Sequence, residues 1–175
     1  MELELILPAQ HHREQVEDYK RKFIAELSTI SGVGIHGAGS LSDMSFDEWL
    51  TECEDHQAGR NLPEGFVPAT QFIAIRKSDN KVVGTFAIRH SLTPHLERIG
   101  GHIGYSVAPD ERRKGYATQM LQLGIDECKK LGIHQIRITC LKDNIASAGV
   151  IKKFNAIHDG DAEFDGKVLD RYWIV

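Results

Sequence analysis

Arg112-Arg113-Lys114-Gly115-Tyr116-Ala117 sets three consecutive cations directly before a glycine. Upstream, Ile103, Tyr105 and Val107 alternate with His102, Gly104 and Ser106, the pattern of a strand, and Pro109 ends it because proline has no N–H for a ladder. Downstream, positions 117, 120, 121, 124, 125 and 128 fall on one face of a helix. The order is therefore strand, basic turn, helix N-terminus. The first amides of a helix have no acceptor inside it, and its dipole favours negative charge there. Gly115 lets the backbone approach a ligand closely, and Ala117 keeps the next position small. Such a seat suits a pyrophosphate. Its spacing is neither that of a P-loop nor that of the G-x-G-x-x-G dinucleotide turn. Asp110 and Glu111 offset part of the positive charge, so backbone donors are expected to matter as much as the cations.

Arg112 to Ala117 resembles the R/Q-x-x-G-x-G/A signature of the GNAT superfamily of N-acetyltransferases. The context agrees: a strand ending in Val107-Ala108-Pro109, a long amphipathic helix, a second strand at 135–141, and then Asn144-Ile145-Ala146-Ser147, which is similar to the family's N-x-x-A/S element. The resemblance covers residues 70–175 well and the first 70 loosely. Gly100 to Tyr105, with Arg171-Tyr172-Trp173-Ile174, resembles one branch of predicted bacterial acetyltransferases.

The resemblance implies acetyl-CoA as co-substrate, with Arg112, Arg113, Lys114, Gly115, Tyr116, Ala117 and Thr118 around the pyrophosphate. Asn144 and Ser147 would flank the pantetheine arm, and Ser106, Val107 and Ala108 would face the thioester, whose carbonyl a backbone N–H near Val107 would polarise. The implied reaction is direct attack by a primary amine of a small molecule or peptide. The implied fold is mixed α/β, α+β-like, with a central, mostly antiparallel sheet of six or seven strands, one parallel splayed pair and helices on both faces. The whole of 1–175 would be one domain, 1–70 on the acceptor side and 71–175 forming the acetyl-CoA-binding core.

Amine acetylation calls for a base, and His102, with an ordinary pKa near 6.5, is the candidate by type. It stands where several relatives carry a glutamate. The alternative is a histidine bonded within the sheet, with His90 and Glu97 as further bases. The acid departs from the family pattern: Ile151 occupies the position of the usual tyrosine, seven residues after Asn144. Tyr105, Tyr116 or Tyr172 is the substitute, or none, since a thiol with pKa near 8.5 leaves without much help. Asn155-Ala156 also replaces the usual Gly-Phe. Two other readings stand beside the enzyme: a non-catalytic acyl-CoA-binding module, and a nucleotide-phosphate binder of another kind.

The elements that must position these residues follow from patterning. Glu2 to Leu7 is a first strand, 11–28 an amphipathic helix with Val16, Tyr19, Phe23 and Leu27 on one face, and Ser45 the N-cap of a second helix with Glu48 as its capping-box partner. Residues 31–42, 59–68 and 91–98 read as loops. Strands at 71–76 and 81–90 form a hairpin and pair on with 100–108. The helix is placed at 113–131, ended by Gly132, and the strand at 135–141 is expected to run parallel to 100–108 because a helix crosses between them. A helix to about Phe154 and a hairpin around Asp165-Gly166 close the chain.

Composition narrows the class. The chain has 175 residues, enough for one sizeable core, and its net charge of −4 offers no general attraction to nucleic acid. Three cysteines without C-x-x-C spacing argue against a disulfide scaffold or structural zinc, and adjacent His11 and His12 diverge on a helix, so no metal is expected. No apolar run reaches membrane-spanning length, and a cytoplasmic protein is the expectation. A homodimer is left open.

Overall fold

The structure, a computed structural model, describes residues 1–27 and 34–175. Of the expected glycine-rich loop, Ser31, Gly32 and Val33 lie outside the described residues. In chain order the elements are β1 (Leu3–Ile6), α1 (Arg13–Leu27), α2 (Phe46–Ala58), β2 (Ala69–Arg76), β3 (Lys81–Arg89), α3 (Pro94–Arg98), β4 (Ile103–Val107), α4 (Tyr116–Lys130), β5 (Ile136–Leu141), α5 (Ile145–Lys152), β6 (Ile157–Phe164) and β7 (Lys167–Ile174).

Among the described residues seven strands form two antiparallel sheets, β1-β2-β3-β4 and β5-β7-β6. The expected mixed α/β architecture stands, with the single central sheet divided into two. β4 and β5 are neighbours, but their link is an isolated antiparallel bridge between Gly101 and Ile138, made by the turn before β4 rather than by β4 itself. Gly101 has φ 68°, and a Cβ there would stand 2.5 Å from the Arg137 carbonyl oxygen, so only glycine fits the crossing. No ladder continues from there among the described residues, and the two strands splay.

Alternation on β2 assigns the two faces of the first sheet. Phe72 and Ala74 belong to the core cluster with α4, whereas Ile73 and Ile75 belong to the one with α1 and α2. Helices therefore cover both faces, as expected. The α4 seam is tight because Gly124 leaves room for Phe86: a Cβ on Gly124 would fall 2.0 Å from the ring. Trp49, fully buried, donates its indole N–H to Ala38 O at 2.7 Å. Ser45 caps α2 by accepting from the Glu48 amide at 3.2 Å, while its hydroxyl donates to the Glu48 carboxylate at 2.9 Å.

Two local expectations change. Residues 94–98 form a helical turn rather than loop, because Thr93 accepts from the Leu96 amide (3.2 Å) and Pro94 fits the first helical position. Helix α4 starts at Tyr116, three residues late, because Arg113 (φ 63°) and Gly115 (φ 81°) both take the left-handed conformation to turn the chain. Asn155 at φ 54° replaces the family's glycine after α5, the non-glycine type that best tolerates this region. The hairpin at Asp165-Gly166 (φ 51° and 72°) is as expected.

Candidate active site

The seat for an anion is the start of α4. Among the described residues the amides of Tyr116, Ala117 and Thr118 reach no protein acceptor, and the first α4 amide to do so is that of Gln119, bonded to Gly115 O at 3.2 Å. A Cβ on Gly115 would meet nothing within 4 Å, so the turn just before these amides is open. The three cations divide in role. Arg112 pairs with Glu26 at 3.0 Å and Lys114 with Glu111 at 2.7 Å, while exposed Arg113 has no partner among the described residues.

Glu111 sets the turn in place. It is 3% exposed and its carboxylate meets Lys81 at 2.5 Å, Lys114 at 2.7 Å and Arg76 at 2.9 Å. Burial alone would raise its pKa, but the lysines and the guanidinium overcome that and pull it down to about 2. Arg76 also reaches the Tyr116 hydroxyl at 3.2 Å, which fastens the β2–β3 turn to the first residue of α4. The expected offset of positive charge by Glu111 thus operates from inside, as an anchor.

Backbone register decides which amides face the splay. Arg89 N–H bonds His102 O at 2.7 Å and Ala108 N–H bonds Val83 O at 2.8 Å, and the pairs between them alternate. The amides of Tyr105 and Val107 therefore point away from β3, toward the edge where β5 stands. The Ser106 hydroxyl goes to the other face and donates to His36 O at 2.6 Å, so any role of Ser106 toward a thioester is confined to its backbone. Ala108 is buried in the α1–α2 core cluster.

Across the splay, Asn144 caps α5, its side-chain oxygen accepting from the Ser147 amide at 3.1 Å. The Ser147 hydroxyl lies 3.3 Å from the Tyr105 phenol. Burial raises the Tyr105 pKa, so this phenol keeps its proton. Sequence reading named both residues without a link between them; the link is tertiary. Ile151 is fully buried, and Tyr172 is buried in the same core cluster. Thr118 takes a hydrogen bond from Lys153 at 3.3 Å.

His102 is 7% exposed. Its backbone N–H donates to Arg137 O at 2.8 Å and its Nδ1 accepts from the Arg137 amide at 3.0 Å, so the residue clasps the two sheets together where they part. Burial first, then the Arg89 and Arg137 charges, lower its pKa to about 4. His90 shares a 2.7 Å hydrogen bond with Thr70, and burial lowers its pKa as well; Glu97 lies exposed on α3. His12 serves α1: its Nδ1 accepts from the Ala9 amide at 3.0 Å.

On the opposite face of the first sheet a cavity of about 530 Å³ opens between β2, β3, Gly104 of β4, α2 and α3. Its floor meets the segment through Gly37, which lies against Gly104 so closely that a Cβ on Gly37 would stand 2.3 Å from Gly104 O. No sequence signal reveals this cavity, because its lining comes from positions scattered between 37 and 104.

Comparison with known proteins agrees with this architecture. An uncharacterised N-acetyltransferase of Bacillus subtilis (strain 168), YnaD, is 27% identical over 135 residues, 69% of this chain and 79% of that protein. The solved RimL ribosomal L7/L12 alpha-N-protein acetyltransferase in complex with coenzyme A superposes with a TM-score of 0.68 at 20% identity, covering 99% of this chain and 93% of that one. The ribosomal-protein-S5-alanine acetyltransferase from Vibrio fischeri gives a TM-score of 0.69 at 18% identity, over 99% and 91% of the two chains. At these identities the structural likeness establishes the fold. The acetyltransferase (GNAT) family itself matches residues 39–156, well over half of the sequence, and the chain therefore belongs to this family of acyltransferases, which use acetyl-CoA.

Proposed function

We propose that this protein transfers the acetyl group of acetyl-CoA to a primary amine, of a small molecule or a peptide, by direct attack in a ternary complex. The observation that carries the reading is the set of three amides at the start of α4 that reach no acceptor among the described residues, beside the open turn at Gly115 and next to the splay of β4 and β5. These amides suit the diphosphate, with Arg113 as its free cation and Gly115 supplying the left-handed turn. Acetyl-CoA brings an activated thioester; the chain supplies its binding, orientation and charge stabilisation. The Val107 amide, at the free edge of β4, is placed to donate to the thioester oxygen as charge grows on it. The amine nitrogen bonds to the carbonyl carbon, the C–S bond breaks, the Tyr105 phenol, backed by Ser147, passes its proton to the departing sulfur, and the phenolate is reprotonated at once from water.

We assign His102 to joining the sheets rather than to the base. Its accepting nitrogen is occupied and its pKa of about 4 makes it a weak acceptor at neutral pH. The amine then loses its proton to water. The acceptor class is supported by the solved neighbours, whose names describe acetylation of ribosomal-protein amines by those proteins.

The test is calorimetric titration with acetyl-CoA. Wild type should bind with a Kd in the micromolar range, and Gly115→Asp, which strains a φ of 81° and sets a carboxylate before the amides, should bind at least about 10-fold more weakly. Equal affinity would overturn the site. The buried Ile151 at the acid position favours a second reading, a non-catalytic acyl-CoA binder. Tight coenzyme binding without thiol release on any amine would select it.

A further inference from the structure

The cavity on the α2 face has the volume of a small-ligand site, about 530 Å³. One of its lining side chains lacks what its surroundings normally demand. Arg89, the last residue of β3, is half-buried and donates through Nη1 to Gly101 O at 2.9 Å, and among the described residues no carboxylate pairs with it. Burial lowers its proton affinity with no acid to raise it again. Other strand arginines differ in degree: Arg76 has Asp79 at 2.6 Å and Glu111 at 2.9 Å, Arg137 has Asp159 at 2.7 Å although its buried Nε and Nη1 lack hydrogen-bond partners, and Arg171 donates to the Asp159 carbonyl at 2.8 Å. A guanidinium withdrawn from water without a counter-charge is costly, and its planar fork matches a carboxylate better than any other common anion except phosphate.

The acids of the cavity do not meet this need. Glu52 is occupied by Ser40, from its hydroxyl at 2.7 Å and its amide at 3.0 Å, and Glu64 lies exposed on the loop. The lining thus offers a cation on the strand side and the Glu64 carboxylate on the loop side, complementary to a molecule that carries both an amine and a carboxylate. We infer that Arg89 makes this cavity the acceptor site for an amine-bearing carboxylate, either a free amino acid or an acidic side chain near the N-terminus of a peptide. This rests on the acetyl-transfer reading given above.

Matched acceptor pairs test it by thiol release from acetyl-CoA. Glycine against glycinamide and aspartate against asparagine probe the free amino acid; tripeptides with Asp against Asn in the second position probe the peptide. In at least one arm the carboxylate member should show kcat/KM about 10-fold or more above its amide, and the arm identifies the source. Arg89→Gln should bring that ratio to about one while leaving the acetyl-CoA Kd within about twofold, and Arg89→Lys should keep part of it. A wild-type enzyme indifferent to the carboxylate, or an Arg89→Gln variant that keeps the preference, overturns the inference. If no member of any pair is acetylated, calorimetry with aspartate and asparagine decides. Aspartate binding that Arg89→Gln abolishes sustains the carboxylate site while the transfer reading fails, and no aspartate binding to wild type overturns the site.

Discussion

The His102 ring shows how one residue's neighbours choose between the roles its type permits. Its Nδ1 takes the Arg137 amide and its pKa falls from 6.5 to about 4, so between those values the unfolded chain binds a proton that the folded ring refuses. Stability should therefore decline as the pH falls from about 6.5 to about 4. His102→Gln, followed by denaturant titration across that range, should flatten this part of the profile, and its rate–pH curve should show the same rise as wild type, tracking the amine substrate rather than an imidazole. Tyr105→Phe separates chemistry from binding: kcat should drop about 10-fold or more with an unchanged acetyl-CoA Kd, measured by stopped assay and titration. At this scale the sequence offered the right residue types and positions. The competing partners of His102 and the pairing of Tyr105 with Ser147 lay 35 and 42 residues away along the chain, beyond what spacing can reveal.

Element by element, the site depends on how α4 is fixed to the first sheet. Glu111 ties the turn before α4 to Arg76 of β2 and Lys81 of β3. Removing its charge leaves three cations facing a common gap, partly relieved by solvent at Lys114. Glu111→Gln should cost about 2–3 kcal/mol in urea unfolding and weaken acetyl-CoA binding as the turn loosens. Gly124→Ala tests the other attachment. With Phe86 2.0 Å from the added methyl, the seam must open, and thermal unfolding should report a loss of about 1–3 kcal/mol. The apolar stripe of α4 was plain in the sequence. The start of the helix at Tyr116 was not, because Arg113 takes a left-handed conformation that local propensity does not favour.

The whole molecule is two antiparallel sheets that touch at Gly101 and Ile138 and then diverge, and the opening between them is where a thioester meets its acceptor in the proposed reaction. Acetyl-CoA should slow amide hydrogen exchange at 103–107, 115–119 and 144–147, and leave the β6–β7 hairpin unchanged; protection confined to the hairpin would contradict the placement. From the sequence alone came the family, the strand–turn–helix seat for the diphosphate, most of the elements and the missing tyrosine at Ile151, because each is written in residues adjacent in the chain or at a helix or strand period. Tertiary structure alone decided that the strands divide into two sheets, that His102 clasps them, and that Arg89 lines a cavity with no carboxylate paired to it among the described residues. These features are relations between segments distant along the chain, and such relations are settled by packing and charge pairing once the chain has folded.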